Sequence, residues 1–343
     1  MKRQTFGYHH LNARLPKDEL FSAFDLIGFP VVVKEDLAIA LASRVEDTTN
    51  KEIKSLLKEG SLITINFPNG NKRVVLKGQW ALFNKFLKPQ NEEELLFFFK
   101  GYEPMLKALS LSVEELLNNA LKVAETFKGD FENELLETLD TFDQEVFRWP
   151  SFVHNGENIG ESLAKPLLNL VSLYYPIGLD KEELSVENNK DNLINRYLKG
   201  GGEENFTSFG QWCNILVEHA KRLWENSVIE NHFSGEKQLL NRLNFLSRND
   251  PLVEGTKRGS YLKGKRAYNY FLKNSENPNY LFYEGEVIGG WHFKEKGQKW
   301  TLLIEDITGK LERIATKEIE REVNFLSAAL DKECEEIRVS KIL

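Results

Sequence analysis

The chain has 343 residues, with 52 Asp and Glu against 45 Lys and Arg, a formal net charge of −7. Hydrophobic residues make up 41%, including 23 Phe, 10 Tyr and 6 Trp, which suffices for a packed core and excludes an intrinsically disordered chain. No run of about 18 apolar residues suggests a membrane span, and the acidic total argues at first against a nucleic-acid partner.

Residues 1–30 lack the basic-then-apolar pattern of a secretory signal. Two cysteines, Cys213 and Cys334, are too few for a zinc site of their own and suit reduced thiols. These features lead us to expect a cytoplasmic protein with no cofactor and no bound metal. At about 150 residues per domain the length suits two to three domains.

Leu20, Phe21, Phe24 and Ile27 recur at helical spacing and predict a helix over residues 17–27, broken by Gly28 and Pro30. A second helix is expected over 35–44. A third begins at a capping box, Thr49 with Glu52, carries Ile53, Leu56 and Leu57, and ends at Gly60. Ile63, Ile65 and Phe67 then alternate. Residues 68–71 turn, and 72–77 return through Val74 and Val75 as the second strand of a hairpin. Three helices followed by a two-stranded ribbon is the order of a winged helix, although other small α+β units share it.

Residues 79–146 read as almost continuous helix, and the acidic stretch 129–145 as a solvated face. Trp149-Pro150 with two glycines marks a loop, followed by a helix near 161–172 and a strand-like Leu173-Tyr174-Tyr175. A further helical group runs from Asn192, through Gly200-Gly201-Gly202, to Trp224, with residues 228–233 a candidate wing strand. Trp212 and Trp224 read as core. Residues 280–306 alternate with turns at Glu284-Gly285 and Lys296-Gly297, a β-meander, and a last helix covers 316–333.

The basic residues are concentrated. Residues 255–266 hold Lys257, Arg258, Lys263, Lys265 and Arg266 with no acid and three glycines, and Tyr261 lies among them. The first hairpin adds Lys72, Arg73 and Lys77. Such clusters release counterions on a polyanion, so both are candidate phosphate contacts; each also suits a solvated loop.

Other constellations carry less. His9-His10 has no nearby Cys or clustered carboxylate and reads as a surface pair rather than a metal site. Arg148 and His154 loosely suggest a nuclease pair, but Pro150 interrupts the helix such a pair needs. Residues 284–291 suggest an acetyltransferase strand without its pyrophosphate loop, and a hairpin accounts for them. No Walker, Rossmann or Ser-His-Asp signature is present.

Three ordered stretches carry a family likeness. They are Arg196-Tyr197-Leu198 with Gly200–Gly202, Thr207-Ser208-Phe209 and Trp212; then LNFLSRNDPLVEG from Leu243, running into Lys257-Arg258; then YLFYEGEVIGGW with its following helix. Together they resemble the tandem winged-helix DNA glycosylases of the AlkZ/YcaQ type, and residues 37–75 resemble the family's first unit more weakly. The resemblance implies an α+β fold of three tandem winged helices (1–100, 101–188 and 189–240) and a small C-terminal β-barrel-like domain with a terminal helix (241–343). It implies a monomer that binds double-stranded DNA and hydrolyses the N-glycosidic bond of alkylated or cross-linked purines, as in DNA repair.

The family places a Gln-x-Gln or Gln-x-Asp motif before the second helix to set water against the sugar. Here Pro30-Val31-Val32 stands there, and neither glutamine is present. Glu35 and Asp250 are the remaining catalytic candidates. Glu35 with Asp36 also suits acids at a helix N-terminus, and Asp250 a turn residue before Pro251. The alternatives are a non-catalytic DNA-binding regulator and a protein-interaction module on the same fold.

Overall fold

The computed structural model describes residues 7–68, 71–108, 110–126, 159–175, 192–230, 242–254, 261–273 and 278–342. The acidic stretch 129–145, Arg148, His154, Lys257 and Arg258 lie outside these.

The N-terminal unit opens with a 3-10 helix, Lys17–Phe24, kinked at Glu19 rather than a continuous α-helix. Next come strand β1 (Phe29–Pro30), helices α1 (Asp36–Ala42) and α2 (Asn50–Lys58), and strands β2 (Leu62–Asn66) and β3 (Lys72–Leu76). The strands form an antiparallel sheet of order β1-β3-β2. Gly28 allows the chain to turn into β1. Its φ is +69°, and a Cβ there would lie 2.5 Å from Val75 Cγ1 and 2.8 Å from the Val74 carbonyl oxygen. The expected capping box is formed: Glu52 N–H donates to Thr49 Oγ1 at 3.3 Å, and Thr49 N–H donates to Glu52 Oε2 at 3.0 Å. Thr49→Ala is expected to cost about 1 kcal/mol in a urea titration, and Thr49→Ser much less.

Helices α3 (Trp80–Leu87), α4 (Glu92–Phe98), α5 (Glu103–Ala108), α6 (Val113–Thr126) and α7 (Ile159–Val171) follow. Helices α4, α6 and α7 close around Phe99, Leu116, Leu117, Ala120, Leu163 and Leu167. Leu173-Tyr174-Tyr175 is a turn, not a strand. Tyr174 and Tyr175 N–H donate back to Val171 O at 2.9 and 2.8 Å, so the aromatic run closes α7.

Helices α8 (Leu193–Lys199), α9 (Phe206–Cys213) and α10 (Val217–Glu225) form the next group. Their core joins Tyr197, Phe209 and Trp212 to Phe67 of the first hairpin and Phe83 of α3. Gly210 permits the close approach of α9 to α10, since a Cβ there would sit 2.9 Å from Ala220 Cβ. Residues 228–230 are not a strand. Asn195 takes the ladder's place, donating to Val228 O at 3.0 Å and accepting from Glu230 N–H at 3.2 Å. Residues 231–233 lie outside the described residues.

The C-terminal part contains β4 (Asn244–Leu246), α11 (Pro251–Glu254), α12 (Gly264–Lys273), β5 (Asn279–Tyr283), β6 (Glu286–Lys296), β7 (Lys299–Asp306), α13 (Thr316–Leu330) and β8 (Glu333–Lys341). The strands make one sheet of order β4-β5-β6-β7-β8. The expected meander is its antiparallel centre, β5-β6-β7. Strand β8 pairs parallel to β7, with α13 as the crossover.

One hydrophobic core runs through both ends of the chain. Leu37, Leu41, Val45 and Ile53 of the N-terminal unit pack with Trp291, Trp300, Val323 and Leu326. Glu322 of α13 is buried and accepts from Arg14 Nη1 at 3.0 Å. Packing therefore crosses the expected boundary at residue 241.

Candidate nucleic-acid interface

Residues 31–35, beside Pro30-Val31-Val32 where the resemblance would set a water-orienting motif, form a tight surface turn between β1 and α1. Val31 N–H still donates to Lys72 O at 2.8 Å, extending the sheet by one bond. The backbone then turns, and Val32 and Val33 N–H both donate to Asp36 Oδ2 at 2.9 Å. Their side chains point outward, 62% and 52% exposed. Asp36 is buried; Ser247 Oγ donates to its Oδ1, and Asn249 Nδ2 to its Oδ2 at 3.1 Å. The turn is thus pinned from below and apolar on top. Asp36 acts as a turn clamp, which the sequence reading misses. The signal available is an aspartate three and four residues after two valines, the spacing for a side chain to cap preceding N–H groups.

Glu35 lies beside this turn, with Oε1 3.3 Å from Lys34 Nζ and its side chain 18% exposed. Asp250 is elsewhere engaged. Arg44 holds it in a bidentate pair, Nη1 to Oδ2 at 2.8 Å and Nη2 to Oδ1 at 2.7 Å, both side chains buried. Leu252 N–H also donates to Oδ1 at 3.0 Å. With both oxygens occupied and the carboxylate closed off from solvent, the place of Asp250 is structural.

The basic candidates divide. Lys72 is exposed at the start of β3, and Lys77 is half-buried after its end. Arg73 is fully buried and is not a surface cation. Its guanidinium pairs with Glu254, donates to Ile27 O at 3.1 Å, and lies 4.6 Å from the Phe67 ring centroid. Lys263 reaches Glu286 Oε2 at 2.5 Å, and Glu286 also takes Lys310. Lys265 and Arg266 are exposed in the first turn of α12, where Arg266 donates to Ile342 O. Tyr261 is buried against Phe282, ring centroids 5.4 Å apart, and is not a surface stacking residue.

Of the histidine pair, His10 is half-buried and His9 is not at the surface. His9 is buried and its Nε2 lies 3.0 Å from Gly200 O. Burial, aided by the Arg44 guanidinium, lowers its pKa from 6.5 to about 4; burial also lowers that of His10. Above pH 6.5 His9 is neutral folded and unfolded. As pH falls from 6.5 towards 4 only the unfolded chain takes up the proton, so stability drops, by about 3 kcal/mol across that window. His9→Gln, which can still donate to Gly200 O, is expected to flatten the dependence of the urea midpoint on pH between 7 and 4.

Among the described residues no His, Cys, Asp and Glu side chains gather in a metal-binding group, and no helix is long and apolar enough to cross a membrane.

No family model and no curated protein matches the chain. Among solved structures it is similar to the Streptomyces sahachiroi DNA glycosylase AlkZ, with 14% identity, 98% of this chain and 99% of that one covered, and a TM-score of 0.65. The shared property is the fold, a mixed helix and strand architecture along the whole length.

Proposed function

We propose that the chain is a DNA-binding protein on a tandem winged-helix fold, without the glutamine-dependent base excision that the family resemblance implies. The observation that carries the reading is the full-length likeness to a DNA glycosylase combined with the apolar turn at residues 31–33. The first unit supports the winged-helix assignment through its order of helix, strand, two helices and hairpin, and its β1-β3-β2 sheet. Valine side chains cannot orient water or stabilise a cationic sugar, and Asp36 and Asp250 turn their oxygens to the protein itself. The exposed Lys72, Lys265 and Arg266 are the described candidates for phosphate contacts, with Lys257 and Arg258 proposed from sequence alone.

The test is a fluorescence anisotropy titration of a labelled duplex across salt concentrations. Affinity should fall steeply with salt, and reversing Lys72, Lys265 and Arg266 to Glu should lower the log–log slope by about 1 for each phosphate left unneutralised. Absence of binding to any intact, nicked or alkylated duplex at low salt would instead favour a protein-interaction module. Release of an alkylated or cross-linked base, abolished by Glu35→Ala, would restore the glycosylase reading with Glu35 as the water-orienting carboxylate.

A further inference from the structure

Strand β8 forms one edge of the C-terminal sheet, and among the described residues no strand pairs with its outer side. Its 9 residues make an edge of about 30 Å at roughly 3.3 Å per residue. It runs parallel to β7, and Ile342 N–H donates to Asp306 O at 3.0 Å. In a parallel ladder alternate residues turn their backbone groups to the same neighbour, so Glu336, Arg338 and Ser340 turn theirs to β7. Ile337, Val339 and Lys341 therefore turn N–H and C=O outward. Val339 is also 53% exposed, and Ile337 is half-buried.

An edge of this length is a template for another strand, and charged side chains ordinarily deter one. The charges of β8 deter most partners but not a second copy of the same strand. Glu333, Glu335 and Glu336 occupy its first half, Arg338 and Lys341 its second. Two copies running antiparallel about a twofold axis at Ile337 place Glu336 of each opposite Arg338 of the other. Ile337 meets its own copy, apolar on apolar. The acidic end of each strand, Glu333 and Glu335, lies along the end of the other that carries Lys341.

The charges also select this register. Outward residues must face outward residues, so the next registers on either side set Glu336 opposite Glu336, or Arg338 opposite Arg338. Like charges directly opposite are destabilising, and opposite charges stabilise. Within one chain Arg338 Nη2 already lies 2.7 Å from Glu336 Oε2, with both side chains open to solvent. The twofold axis brings two such pairs together as four alternating charges.

We propose that β8 is the interface of a homodimer, in which two C-terminal sheets join edge to edge as one continuous sheet. This departs from the monomer that the family resemblance implies, and it is independent of DNA binding. Sedimentation velocity of the full chain over a range of concentrations, without DNA, tests it. The sedimentation coefficient should rise from monomer to dimer below about 100 μM. Arg338→Glu sets Glu opposite Glu at both symmetry-related positions and should weaken the dimer on the order of tenfold or more. Glu336→Arg/Arg338→Glu exchanges the two signs, keeps opposite charges facing, and should restore the dimer. Val339→Pro removes an outward N–H while leaving the bonds to β7, and should also weaken the dimer. Far-ultraviolet circular dichroism should be unchanged in the charge variants, whose side chains are exposed. If Val339→Pro fails to fold, the charge exchange alone decides. A monomer at every concentration, a dimer indifferent to Arg338→Glu, or a double exchange that fails to restore the dimer would overturn the proposal.

Discussion

Asp250→Ala is expected to destabilise the protein by about 3–5 kcal/mol, because it strips the paired carboxylate from a buried guanidinium. Arg44 and Asp250 are 1% and 0% exposed and meet through two hydrogen bonds of 2.8 and 2.7 Å. Removing the aspartate leaves Arg44 charged in the interior, with the neutral Ala40 carbonyl, 2.9 Å away, as a poor substitute. Asp250→Asn keeps the shape and an acceptor for Leu252 N–H, yet should also destabilise strongly, since the charge is what Arg44 then lacks. Removing both charges is different in kind: Arg44→Met/Asp250→Leu should lose much less than the sum of the single changes, because no uncompensated ion remains. A urea titration of the wild type and these variants, with Arg44→Met alone, measures this. A loss below about 1 kcal/mol for Asp250→Ala would show that Arg44 finds water or another partner, and that the junction between α1 and residues 247–254 is loose.

Trp291→Ala should be as damaging, about 3–5 kcal/mol, for an apolar reason. Trp291 lies in β6 with no exposed surface. It meets Phe245 edge-on at 5.5 Å between centroids and stacks on Phe293 at 6.1 Å. Its Nε1–H faces Tyr280 O at 3.1 Å and Leu246 O at 3.3 Å, so one side chain ties β4, β5 and β6 together. Truncation to Ala opens a void that a sheet pinned on both sides cannot close. Trp291→Phe fills most of the space but withdraws the donor, and should cost about 1–2 kcal/mol. Thermal unfolding of both variants, with near-ultraviolet circular dichroism to follow aromatic packing, checks the order. Equal losses for Phe and Ala would assign the effect to the hydrogen bonds instead of the volume.

Features whose partners lie close in the chain are legible in the sequence. The Thr49–Glu52 box, the β2–β3 hairpin and the β5–β6–β7 meander depend on residues a few positions apart or on alternation within one strand. Helix α13 shows its apolar face at Ile319, Val323, Leu326 and Leu330, and ends within three residues of expectation. Strand β8 is not legible. Its Glu333, Glu335 and Glu336 suit a solvated tail, and a sheet edge tolerates charged side chains. The two-residue β1 is too short for any period, and exists because β3 offers it hydrogen bonds at Val74 and Arg73.

The candidate site divides in the same way. That residues 30–32 read Pro-Val-Val, with no glutamine, is visible in the bare sequence, and so is the crowding of basic residues between 255 and 266. What the remaining charges do is decided at long range. Arg73 reads as a cation of the hairpin, but meets Glu254, 181 positions away. Asp250 reads as a catalytic or turn carboxylate, but meets Arg44, 206 positions away. Arg14 and Glu322 join across 308 positions. By itself the sequence determined the local elements and the apolar character of residues 30–33, because those depend on short-range geometry and residue identity. Only the tertiary structure decided which charges are buried in pairs and which reach solvent, because a charge leaves water only where folding brings it an opposite partner.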